Sequence, residues 1–243
     1  MSHSITDHLA PGRLARITGG CYLAFILTSV LADWLGHIGL GDAQQVYQSV
    51  VTDPTSFRLA LLVGLISAFL FLVTAWGLYV ILRPVSEGLA LLFLLLNTVG
   101  VAIQCASMLP LLAALLMGDA GSHMQAFSAA QLEGLGLLSA SVYKVGFVTA
   151  QLFFGTWLFP LGYLVYKSRV LPRALGILLI ADGVAVLVWF SQALLLPAHP
   201  EITTPGIVVS FLAEVGLALW LLVRGVRVPA SATPRLTDPS LAS

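Results

Sequence analysis

The stretch FFGTWLFPLGYLVYKSRVLPRALG, residues 153–176, reads as the end of one apolar helix, a short basic turn and the start of a second helix. Leu164, Val165 and Tyr166 bring the chain to a membrane surface, and Lys167, Arg169 and Arg173 follow at once. Short loops rich in Lys and Arg stay on the cytoplasmic side, so this turn is expected to face the cell interior. Pro172 opens the next helix, where its missing N–H costs nothing. Once this hairpin has a side, every other segment has one too.

Composition agrees that lipid is the solvent. Only 9% of the 243 residues are charged and 58% are apolar, with mean hydropathy +0.97. A soluble domain carries about 25% charged residues. The formal net charge of zero argues against a nucleic-acid partner. The two cysteines, Cys21 and Cys105, lie at different depths of apolar runs, outside any metal or redox motif, so no disulfide is expected.

Working outward from the basic turn, six runs are long enough for the roughly 20 residues that cross a bilayer core. They span about Ile17–Leu35, Arg58–Leu82, Leu89–Met117, Ala140–Tyr166, Ala174–Leu196 and Thr204–Val223. The expected architecture is all-α: a polytopic integral membrane protein, six transmembrane helices in a bundle, both termini cytoplasmic. Residues 1–16 form a cytoplasmic N-terminal segment, 17–223 the membrane domain, and 224–243 a cytoplasmic, disordered tail rich in Pro, Ser and Thr. Short interfacial helices are expected in the outer loops. One is capped by Asp42, with Val46, Val50 and Val51 on one face; a helix also begins at the Ser128/Gln131 capping box. Asp53-Pro54 is an N-cap and first-turn proline.

Charge sorting tests this topology. Arg13, Arg16, Arg83, Lys167, Arg169, Arg173, Arg224, Arg227 and Arg235 all fall on the expected inner side. Arg58 and Lys144 fall at or just inside the outer ends of the second and fourth spans. The pattern puts both termini in the cytoplasm. A rival reading takes the first span as a signal peptide, with Val30-Leu31-Ala32 before a cleavage point, leaving five spans. A weak parallel repeat is also visible: Gly77-Leu78-Tyr79-Val80 with Asn97, against Gly162-Tyr163-Leu164-Val165 with Asp182.

Several stretches carry a resemblance: RITGGCYLAFI, SFRLALLVG, GLYVILRPVSEGLALL, FFGTWLFPLGYLVYKSRVLPRALGILLI and EVGLALWLLVRGV. Together they resemble a bacterial multi-span membrane family known as domain of unknown function 4386, from Arg16 to Val226. The resemblance implies a multi-span inner-membrane protein of unassigned activity and supplies no catalytic residues.

Ionisable groups inside a span are functional candidates, because burying them unpaired in lipid costs several kcal/mol. The candidates here are Glu214, Lys144, Asp182, Asn97, Gln151 and Gln104, with Asp33 and Arg58 at the rim. The sharp reading is an outward-facing polar cavity with Lys144 and Glu214 as its charged pair and Asp33 with Arg58 as a second. It would hold an anionic head group or relay a proton. The plain reading is packing glue, since polar contacts between membrane helices average about 0.6 kcal/mol.

His37, His123 and His199, with Asp42, Asp53, Asp119, Glu133 and Glu201, populate the outer segments, but no two histidines share a helix turn and no metal site is expected. Pro110 and Pro160 are expected to kink their helices. The tryptophans and tyrosines are assigned to interface anchoring and packing, and Gly20 and Ala24 to close helix approach.

No nucleophile elbow, HExxH, phosphate loop or dinucleotide fingerprint occurs, and no cofactor is expected. Three classes remain, in this order: a module that binds a lipid or other apolar ligand or serves as a partner subunit; a small proton-coupled transporter using Glu214, Asp182 and Lys144; and a membrane-embedded lipid-modifying enzyme. The bilayer is the expected partner, with a homo-oligomer or another membrane protein also open.

Overall fold

The computed structural model describes residues 11–118 and 127–226. His123, Asp119, Arg227 and Arg235 lie outside the described residues, as do residues 1–10 of the N-terminal segment and 227–243 of the tail. The order is α1 (Pro11–Gly36), α2 (Ala43–Thr52), α3 (Pro54–Leu82), α4 (Glu87–Ser107), α5 (Leu109–Gly118), α6 (Ala129–Ser168), α7 (Arg173–Leu195), a 3-10 turn (Pro200–Thr203) and α8 (Thr204–Val223). Six of these stretches are long and apolar enough to cross a membrane, with α4 and α5 forming one span between them.

Local chemistry sets the boundaries. Asp42 and Gln45 close a capping box on α2, each side chain taking the other's backbone N–H at 2.8 Å. Asp53 accepts from Ser56 N at 3.0 Å with Pro54 in the first turn of α3. Ser128 and Gln131 close the second box, at the start of α6. One detail of α2 differs from expectation. Val46 and Val50 are buried, but Val51 is 58% exposed. Positions four apart share a helix face, whereas a residue five along is rotated well away.

The helix that carries the fourth span begins at Ala129, where the Ser128 cap is expected to start it. At about 1.5 Å per residue, the 40 residues of α6 reach about 60 Å, twice the thickness of a hydrocarbon core. Its first turns therefore project past the bundle, where Gly136 packs against the ring of Tyr47 on α2. The third span is broken at Met108, which sits in a turn between α4 and α5. Pro110 lies two residues on and has no N–H to continue the ladder. Pro160, by contrast, leaves α6 unbroken.

The spans close into a ring: α1 packs on α3, α3 on α4, α4 on α6, α6 on α7, α7 on α8, and α8 back on α1. The seam between α6 and α7 is close at several levels. A Cβ at Gly176 would lie 2.7 Å from both Gly162 O and Tyr166 N, and one at Gly183 would lie 3.0 Å from Gly155 O. Glycine alone lets the two backbones touch. Between α1 and α8 the close approach falls on Gly19, against the backbone of Ala218 and Leu222. The expected Gly20 meets only a Leu222 methyl at 3.8 Å.

The packing does not repeat between the α3–α4 and α6–α7 pairs. The main neighbour of α3 is α1, and Gly77 faces Thr18 of α1 while Gly162 faces α7. Among the described residues, Arg13, Arg16, Arg83, Lys167, Arg169, Arg173 and Arg224 gather at the end of the ring formed by the 83–86 and 169–172 turns. We call this the basic end and the opposite one the α2 end.

Candidate functional site

A cavity of about 360 Å³ lies inside the ring toward the α2 end. All six spans reach it: α1 through Phe25, Ser29 and Asp33, α3 through Gly64, Ser67 and Phe71, and α4 through Gln104. Its far wall comes from Phe147, Gln151, Phe154 and Trp157 of α6, Trp189 of α7 and Glu214 of α8. Residues 38–40, after α1, form its lid. The volume falls within the range of small-molecule sites, about 300–1,000 Å³. Two lining residues mark its openings. Leu40 is 68% exposed at the α2 end and Val30 is 63% exposed on the outer flank of α1, so the cavity also opens sideways, where lipid would lie.

Four of the candidate site residues meet here: Asp33, Gln104, Gln151 and Glu214. Gln151 is 7% exposed, and its amide donates to Phe147 O at 3.4 Å. Asp33 Oδ1 accepts from Leu40 N at 2.8 Å and Gly41 N at 3.4 Å, holding the lid against α1. The lid needs such a clasp because His37 and Gly39 both have positive φ, 55° and 139°, a region that ordinary residues rarely occupy.

Lys144 does not pair with Glu214. Its Nζ donates to Gly39 O at 2.7 Å and lies 5.1 Å from the centre of the Phe147 ring. The carboxylates within its electrostatic reach are Asp33 and Asp42. The reason is depth: Lys144 is near the α2 end, level with the lid, whereas Glu214 lies nearer the middle of the ring. Lys144 therefore fastens the lid from the α6 side as Asp33 does from the α1 side. Arg58 lies exposed in the first turns of α3, outside the cavity.

Asp182 is fully buried just behind the cavity, on α7. Its Oδ1 accepts from Ser210 on α8, and its Oδ2 has no hydrogen-bond partner among the described residues. It interacts electrostatically with Glu214, and both act on the Tyr22 hydroxyl, which is likewise buried without a partner. Asn97 is fully buried on α4, outside the cavity, with neither amide atom bonded among the described residues. His37 bonds Ser49 at 2.8 Å and His199 bonds Glu201 at 3.0 Å. Among the described residues no cluster of His, Cys, Asp or Glu could hold a metal ion.

Residue-by-residue reading of the sequence missed the cavity's aromatic wall. Phe25 and Phe71 stack with centroids 4.2 Å apart, and Trp157 meets Phe71 edge-on at 5.1 Å. Trp157 is 1% exposed, so it is a core and cavity residue rather than an interface anchor. Tyr22 and Tyr143 are equally buried, whereas Trp34 is 78% exposed and fits the anchoring role. A hydroxyl pair was missed too. Ser67 donates to Phe25 O at 3.2 Å, so its single proton is used and Ser29 donates to it at 2.6 Å.

Residues 17–225 match the family described as Domain of unknown function (DUF4386). An uncharacterized protein of Archaeoglobus fulgidus is 28% identical over 156 residues, covering 62% of this chain and 74% of that protein. No solved structure matches. With six apolar spans, a buried aromatic–carboxyl cavity and a family match over most of its length, the chain belongs to the DUF4386 family.

Proposed function

We propose that this protein is a membrane module that takes a small amphipathic molecule into the ring through its α2 half. The observation that supports this reading is the shape and lining of the cavity: apolar and aromatic walls, a few convergent polar groups, and an opening at Val30 on the flank of α1. Such a lining is what small-ligand sites share. In this reading the basic end is cytoplasmic, because Arg and Lys collect there, and the α2 end faces outward from a cytoplasmic membrane.

Mass spectrometry of lipid co-purified with the protein tests the binding role. A defined species retained by the wild type and lost in Trp157→Ala supports it; bulk lipid in both preparations overturns it. For sidedness, single cysteines at Glu87 and Ala198 are placed in a Cys21→Ser, Cys105→Ser background. An impermeant maleimide on intact cells is expected to label position 198 and spare 87.

A second reading, a proton-coupled carrier, is favoured by one observation. Glu214 lines the cavity while acting electrostatically on Asp182 behind it, so a ligand and a proton would meet at one carboxyl group. Glu214→Gln in a reconstituted proton-flux assay tests this. Unchanged flux in the variant removes the carrier.

A further inference from the structure

Charge at the cavity wall is one-sided. Asp33 and Glu214 are its charged lining residues, and no Lys, Arg or His lines it among the described residues. Lys144 acts on Asp33 from the lid, but its ammonium is turned onto Gly39 O, and Glu214 is not among the carboxyl groups it reaches. Aromatic faces supply the rest of the polar environment. A cation is attracted to the negative face of a ring, and more strongly where water is excluded. Phe71, Phe154, Trp157 and Trp189 line the same cavity as the two carboxyl groups. The amide of Gln151, nearly buried and weakly bonded, faces the same space with acceptor capacity to spare.

From this arrangement we infer that the ligand is an amphipathic cation: an ammonium or similar head between Asp33 and Glu214, with an apolar tail leaving past Val30 into lipid. The inference rests on the binding reading above and narrows its ligand class. It runs against an anionic head group, which would meet the Glu214 carboxyl group with no Lys, Arg or His among the described lining residues to receive it.

The test uses full-length protein in nanodiscs of neutral lipid and three probes with one tail and different heads: decyltrimethylammonium, decanoate and decanol. Binding is measured by calorimetry, with empty nanodiscs subtracted. Decyltrimethylammonium is expected to bind about tenfold or more tighter than decanol, and decanoate weakest. Asp33→Asn with Glu214→Gln is expected to erase the preference for ammonium over decanol. Asn retains an oxygen for the amides of residues 40 and 41, and the wild-type ranking stands without the variant should it not fold. If decanol or decanoate binds as tightly as the ammonium, the cationic ligand is overturned and the cavity as a binding site survives. If none of the three binds above the empty nanodisc, both fall.

Discussion

The two halves of the ring are built from the same six helices and packed in opposite ways. Toward the basic end, Leu78, Leu82, Leu161, Leu164, Leu179, Leu217 and Leu221 are fully buried in one cluster to which every span contributes. Toward the α2 end, the buried cluster draws on α1, α2, α3, α5 and α6. There α7 adds only the partly buried Trp189, and α8 adds nothing. Ile207, Val208 and Phe211 of α8 are more than half exposed. A bundle sealed at one end and unzipped along one side at the other has a floor and a mouth. In lipid, where burying apolar surface gives little drive, the seal depends on close backbone approach, and its glycines supply that.

The largest expected break of this contrast is in the sealed half. Gly176→Val forces a Cβ within 2.7 Å of Gly162 O and Tyr166 N. The variant is expected to yield no monodisperse species on size exclusion in mild detergent. Gly134→Val, with nothing within 4 Å of the new Cβ, is the matched control and should behave as wild type. Next comes the boundary between the halves. Trp157 touches both Phe71 and Phe93, and Trp157→Ala should cost about 3–5 kcal/mol, read as a lowered unfolding midpoint in detergent.

A smaller effect belongs to the lid. Lys144→Met removes the bond to Gly39 O, with a cost of about 1 kcal/mol. It should raise amide exchange over residues 37–41 and leave α7 and the 169–172 turn unchanged. Equal exchange in both proteins would remove Lys144 as a clasp. The smallest contrast is on α2. Val50→Ser lowers the midpoint measurably, while Val51→Ser stays within about 0.5 kcal/mol, as suits an exposed side chain.

Those comparisons also show what the sequence could carry. The spans were legible because a run of 20 apolar residues has few other uses, and the caps at Asp42, Asp53 and Ser128 because their hydrogen bonds are local. Asp33, Gln104, Gln151 and Glu214 could be singled out because a polar group in an apolar run stands out whatever it faces. Trp157 and Phe71 could not. Their helices are apolar all round and have no stripe to say which side is inward. Lys144 was misjudged for a related reason: its partner is the carbonyl of Gly39, 105 residues away, and a backbone carbonyl leaves no mark in sequence.

The interruption at Met108 gives the molecule an articulation. Bending passes along a helix only while its hydrogen-bond ladder is continuous, and here the ladder stops between Ser107 and Leu109. Beyond it, α5 lies on α6 and α2, with little hold on α4. That corner is therefore held in place by its neighbours rather than by the rest of its own span. Met108 itself, on the cavity wall and against Gly64, marks the joint.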